Sequence, residues 1–178
     1  MARNVEIKAR LRDAERVAAV AARLFGGEPQ LIIQHDIFYG SDQGRLKLRR
    51  FPDGNGELIT YDRPDRPGPK TSCYHLYRTA DPAALHASLA AALAPAGEVR
   101  KERRLYLVGR TRVHLDRVDG LGDFLELEVV LAEHETPEDG RIEAEELLRE
   151  LGVDVADLVS GAYVDLLAAG NQARSQRD

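Results

Sequence analysis

The chain has one cysteine, Cys73, which excludes a disulfide framework and any cysteine-based zinc site. It has no surplus of positive charge. Its 25 Lys and Arg face 30 Asp and Glu, whereas a generic nucleic-acid binder carries a basic excess. No apolar run reaches the roughly 20 residues that span a bilayer. The most apolar stretch, from Pro82 to Pro95, is short and contains His86 and Ser88. The opening residues, Met1 to Lys8, alternate charged and apolar types and lack the apolar core of a signal peptide. Internal repeats, low-complexity runs and Gly/Ser linkers are also missing. At 178 residues we expect a single domain over 1–169 and a flexible tail at 170–178. The expected setting is cytoplasmic, with neither nucleic acid nor membrane as a partner and a homodimer plausible.

What the chain does have is period-two alternation. Segments 3–11, 30–39, 44–51, 57–63, 71–79, 97–108, 111–118 and 123–132 read as strands. Pro52-Asp-Gly-Asn-Gly56 joins two of them as a hairpin, and the three prolines between Arg63 and Pro69 demand a loop. Four segments read as helices instead: 13–25, 81–94, 136–152 and 154–169. Asp81 and Thr136 supply caps, each followed by a proline in the first turn, and Gly26-Gly27 ends the first helix.

Side chains two apart on a strand share a face. Asn4, Glu6, Lys8 and Arg10 therefore lie together, opposite Val5, Ile7 and Leu11. Arg45, Lys47 and Arg49 oppose Leu46 and Leu48, Lys101 lies with Arg103, and Arg112, His114 and Asp116 oppose Val113 and Leu115. Glu126 and Glu128 oppose Leu125, Leu127 and Val129. A one-sided sheet with its charged face in water explains any single strand. It does not explain why the charges segregate by strand, cationic on the third and sixth and anionic on the eighth. A sheet this wide tends to close on itself, and helices over its apolar outside leave the charges within. Buried cations need partners. Lys8, Lys47, Arg49, Arg103 and Arg112 exceed what a structural pair or two would neutralise, and an extended polyanion would serve. The nearby carboxylates would repel that polyanion unless a divalent cation lay between, and an all-oxygen set suits Mg²⁺ or Mn²⁺.

These residues resemble the CYTH family, the triphosphate tunnel metalloenzymes that include class IV adenylate cyclases and thiamine triphosphatase. Asn4-Val-Glu6-Ile-Lys8 is similar to the family's Glu-x-Glu-x-Lys signature, with Asn4 in place of the first acid. Gly44 to Arg49 resembles its basic strand, Lys101-Glu-Arg103 its Lys-x-Arg step, and Arg112 to Glu128 its late strand pair. Tyr163 to Leu167 resembles its C-terminal helix. The resemblance implies an α+β fold: an eight-stranded antiparallel barrel, the triphosphate tunnel, with helices packed outside. It also implies that Lys8, Lys47, Arg49, Lys101, Arg103 and Arg112 hold phosphate oxygens, with Arg63 a further candidate. Glu6, Asp116, Glu126 and Glu128 would bind Mg²⁺ or Mn²⁺ directly or through water, and Glu6, Lys8, Arg112 and Asp116 would be the catalytic set.

The remaining residues read more plainly. His114, between Arg112 and Asp116, is expected to be a structural or hydrogen-bonding group ahead of a proton carrier. The other histidines lack zinc spacing, Cys73 lacks an activating neighbour, and Gly120-Leu-Gly122 is a turn without the Gly-Lys-Ser/Thr of a phosphate loop. Three activities stay open. The first, favoured by the resemblance of the late strand pair to the cyclase-like branch, is an adenylate cyclase turning ATP into cyclic AMP and pyrophosphate. Another is a phosphohydrolase of tripolyphosphate, thiamine triphosphate or nucleoside triphosphates. The third is a polyphosphate- or nucleotide-binding module without catalysis, towards which Asn4 points.

Overall fold

The computed structural model describes residues 2–62 and 70–175. Its strands are β1 (Ala2–Arg10), β2 (Gln30–Tyr39), β3 (Arg45–Arg50), β4 (Gly56–Asp62), β5 (Lys70–Thr79), β6 (Pro95–Val108), β7 (Thr111–Val118) and β8 (Gly122–Val130). They form a closed barrel in the order β1-β5-β4-β3-β2-β6-β7-β8, and every neighbouring pair is antiparallel. β1 closes the ring by pairing with β5 on one side and β8 on the other.

The helices are α1 (Ala14–Phe25), α2 (Pro82–Ala92), α3 (Pro137–Glu150) and α4 (Tyr163–Ser175). None among the described residues is long and apolar enough to cross a membrane. The Asp13 carboxylate caps α1 by accepting from the Arg16 amide at 3.0 Å, and Gly26 ends it in the left-handed conformation at φ 78°. α1 and α3 cover the outward side chains of β1, β7 and β8. Val17, Ala21, Leu147 and Leu151 pack there with Val5, Ile7, Val113, Leu125 and Leu127. α3 comes so close that a Cβ on Gly140 would lie 2.8 Å from Val5 Cγ2, so the position needs glycine. α2 lays Leu85, Leu89 and Leu93 on Ile37, Tyr39 and Leu48. The main apolar core is therefore a layer between barrel and helices, and the charged side chains of the strands turn into the barrel interior beside one apolar side.

α4 behaves differently. Tyr163 and Val164 join Phe38, Val99, Val118 and Phe124 in a separate cluster that stoppers one end of the barrel. The sequence pattern predicts one helix over 154–169, and the structure divides it. A 3₁₀ turn at Val155–Asp157 is capped by Asp154. The chain then runs along β1, where Leu158 bridges Ala9 and the Val159 amide donates to the Lys8 carbonyl at 3.0 Å. Both contacts take up backbone groups of β1, so Leu158 and Val159 run extended beside that strand instead of continuing a helix. Gly161, at φ 82°, then turns the chain into α4. That helix passes through Gly170 to Ser175, where we expected irregular tail. Residues 176–178 lie outside the described residues.

Candidate active site

The barrel encloses a cavity of about 770 Å³. Into it point Asn4, Glu6 and Lys8 from β1, Asp36 from β2, Lys47 and Arg49 from β3, Lys101 and Arg103 from β6, Arg112 and His114 from β7, and Glu126 and Glu128 from β8. The alternation that sends leucines and valines out to the helices sends these inward. One side is apolar, with Ile59 and Tyr61 from β4 and Tyr74 and Leu76 from β5.

Two matching clamps organise the cations. Asp36 accepts from Arg49 Nε on Oδ1 and from Arg49 Nη2 and Lys47 Nζ on Oδ2, each at 2.8 Å. Asp116 accepts from Arg103 Nε at 2.6 Å, Arg103 Nη2 at 2.7 Å and Lys101 Nζ at 2.8 Å, and the Tyr163 hydroxyl adds a fourth bond at 3.1 Å. In each clamp one aspartate grips a Lys-x-Arg pair on the adjacent strand, and register brings them together, because Asp36 pairs with Arg49 and Asp116 with Arg103. Burial alone would raise the Asp36 carboxyl, but Arg49 and Lys47 outweigh it and hold it far below the usual carboxylate range. Burial also pulls the Lys47 ammonium down to about 8, despite Asp36 beside it.

A second group sits on β7, β8 and β1. Arg112 donates to Glu128 Oε2 from Nε at 2.8 Å and approaches it with Nη2 at 2.6 Å. Glu126 Oε2 accepts from Arg103 Nη2 at 3.2 Å. Ligand atoms of His114, Glu126 and Glu128 all lie within 4.8 Å of one another. In register, Glu6 pairs with Glu128 and Lys8 with Glu126. Lys8 Nζ stands 3.9 Å from Glu6 Oε1 and 4.2 Å above the Tyr163 ring. Burial would raise Glu126, but Lys8 and Arg103 hold it well below the ordinary range. Burial, with the charge of Arg103, pushes His114 down to about 4, so its imidazole is neutral at neutral pH.

The structure thus brings Glu6, Lys8, Lys47, Arg49, Lys101, Arg103, Arg112, Glu126 and Glu128 to one cavity. Two expectations change. Asp116, expected to bind metal directly or through water, has a fully buried side chain whose two oxygens are bonded to Lys101, Arg103 and Tyr163. The cations were expected to outrun structural partners. In the structure Asp36 and Asp116 each bond to a pair, and Glu126 and Glu128 take Arg103 and Arg112, so each of these cations has a carboxylate partner. Arg45 ties β3 to α4 through two bonds to Asp165 of 3.0 and 2.8 Å. Arg63 lies outside the described residues. Sequence reasoning missed Asp36. Its signal was parity, since it shares a face with Gln34 and Phe38, opposite the outward Ile37 and Tyr39.

A closed barrel with clamped cations and an acidic cluster in its bore is a tunnel protein built around an ionic interior. The CYTH domain profile matches residues 2–163, and the chain belongs to the CYTH family. Members of that family are in general metal-dependent enzymes acting on triphosphates. Among solved structures, it is similar to the PH1012 protein of Pyrococcus horikoshii OT3, with a TM-score of 0.80 and 21% identity over 92% of this chain and 99% of that one. A conserved hypothetical protein of Pyrococcus furiosus gives 0.79 and 19% over 92% and 99%. A candidate adenylate cyclase of Vibrio parahaemolyticus gives 0.73 and 17% over 93% and 97%. At these identities the likeness is one of fold. No curated protein matches the chain.

Proposed function

We propose that the protein is a divalent-metal-dependent enzyme acting on a linear triphosphate held in the tunnel. Its reaction is most like that of a class IV adenylate cyclase, converting ATP to cyclic AMP and pyrophosphate. One observation carries this: the cations of two Lys-x-Arg clamps and an acidic cluster line one cavity. Phosphoryl transfer needs mainly positioning and charge neutralisation, which this arrangement supplies.

The guanidinium forks of Arg49 and Arg103 are fixed in advance by Asp36 and Asp116, so a phosphate chain meets donors already oriented. Lys8 and Arg112 add positive charge to the same cavity from β1 and β7. Interior cations and carboxylates nearly balance, so a polyanion would make the tunnel strongly negative unless a divalent ion entered with it. The donor set fits such an ion, with Glu126 and Glu128 gathered beside His114 and Glu6 paired to Glu128 in register. When bound, the metal would neutralise developing charge and lower the pKa of the attacking hydroxyl. In the cyclase reaction the ribose 3′-oxygen bonds to the α-phosphorus, the bond to the bridging oxygen breaks, and pyrophosphate leaves. The apolar wall of Ile59, Tyr61, Tyr74 and Leu76 favours a substrate with an organic group over bare tripolyphosphate.

The test is to supply ATP, thiamine triphosphate and tripolyphosphate, with Mg²⁺ and Mn²⁺ separately, and measure cyclic nucleotide, pyrophosphate and phosphate. Cyclic AMP and pyrophosphate in equal amounts support the cyclase. Phosphate release without cyclic product assigns a triphosphatase. Tight binding with no turnover under any condition would overturn the enzyme reading.

A further inference from the structure

We infer that His114 is itself a ligand of the divalent ion, so that the tunnel binds its metal through one imidazole nitrogen together with Glu126 and Glu128 and prefers Mn²⁺ to Mg²⁺. This deepens the proposed function and rests on it.

The imidazole lines the cavity and is 3% exposed, yet its Nδ1 has no hydrogen-bond partner among the described residues. An unpartnered buried nitrogen in a polar wall is costly unless something binds there. Glu128 Oε1 faces it at 3.8 Å, too far for a hydrogen bond. A histidine whose task was to orient Glu128 would have closed that gap. Two ligands of one ion with bonds of about 2.1 Å sit roughly 3–4 Å apart, so the separation suits a shared cation. Glu128 spends Oε2 on Arg112, which leaves Oε1 turned to the histidine. Glu126 stands directly across the β7–β8 ladder from His114, so three donors come from two adjacent, rigidly paired strands. Asn4 Oδ1, also buried, unpartnered and lining the cavity, is a neutral acceptor where a further acid would have favoured Mg²⁺.

The donor chemistry sets the preference. Mg²⁺ seeks an oxygen octahedron and dehydrates reluctantly, whereas an imidazole nitrogen suits first-row transition metals. Replacing one oxygen by nitrogen shifts the site towards Mn²⁺.

The experiment is pulsed electron paramagnetic resonance on the full chain loaded with Mn²⁺ alone, in natural abundance and with ¹⁵N-histidine, alongside calorimetric titration with Mn²⁺ and Mg²⁺. The expected spectrum shows ¹⁴N modulation that ¹⁵N-histidine replaces. His114→Ala should weaken Mn²⁺ binding about tenfold and leave Mg²⁺ within about twofold, the scale at which metal-site contacts act. Absence of nitrogen coupling, or equal losses for both metals, overturns the assignment. The isotope exchange is read on the parent protein, so the test survives even if the variant fails to fold. Mn²⁺ bound without nitrogen coupling, in a protein that turns over triphosphates, would refute the ligand and spare the function. Nitrogen-coupled Mn²⁺ in a protein that ignores every triphosphate would do the reverse.

Discussion

Asp36 holds Arg49 by two bonds of 2.8 Å, one to each carboxylate oxygen, and takes the Lys47 ammonium on Oδ2 at the same distance. It binds both of the cations that β3 turns into the cavity. Asp36→Asn should destabilise the protein by about 3 kcal/mol, because removing one partner strands buried charge. For a chain of this size that is a fall in Tm of roughly 6–12 °C. Tripolyphosphate should then recover more of the Tm in the variant than in the parent, since the added anion replaces the lost charge. Thermal melts with and without it decide the matter, and a drop that the anion does not reduce would show Asp36 to be mere packing.

The Lys47 ammonium, held down to about 8 by burial, loses its proton within an accessible range. Below that value it is charged and attracts phosphate. Above it the attraction fades, so tripolyphosphate affinity should fall as pH rises from 7 to 9. Lys47→Arg keeps its charge across the range and should flatten the profile. Calorimetric affinities at several pH values check both, and parallel slopes in the two proteins would exclude Lys47.

Metal and substrate sites should separate by mutation. Glu128→Gln should raise the metal concentration needed for activity about tenfold or more, with the substrate requirement little changed at saturating metal. Arg49→Ala should raise the substrate requirement about 10–100-fold, the loss of charge-assisted bonds. Steady-state kinetics varying metal and substrate independently provide the reading. If each variant shifted both requirements equally, the two clusters would not be the distinct sites described.

Tyr163 joins the stopper to the ionic interior, with its hydroxyl donating to Asp116 and its ring beneath Lys8 and Lys101. Tyr163→Phe removes only the bond and should cost about 1.5–3 kcal/mol. Tyr163→Ala also empties the stopper and should cost at least about 3 kcal/mol. Denaturant titrations give both values, and equal costs would show that the hydroxyl, not the ring, holds α4 in place.

The barrel was legible because period two is a local signal. Each charged face could be read within a few residues, and Leu46, Leu48, Leu125 and Leu127 marked the outside. The β8 acids and the two Lys-x-Arg pairs were found this way. What a strand cannot show is its partner. Asp36 sits between His35 and Ile37 in a mostly apolar strand, and only the β2–β3 register places it against Arg49. Asp116 carried the right charge in a recognisable motif, but register with β6 gave its oxygens to Arg103 and Lys101. The last helix failed for a related reason. The 154–169 pattern is amphipathic, yet backbone pairing with Lys8 and Ala9 of β1 holds Leu158 and Val159 as extended chain.

The most direct test is a crystal structure with Mn²⁺ and a non-hydrolysable ATP analogue. The phosphate chain should lie inside the barrel, with its oxygens in hydrogen-bond reach of Arg49 and Arg103 and the metal between it and Glu126 and Glu128. Phosphates bound on the outer surface, or a barrel left empty at saturating ligand, would contradict the account.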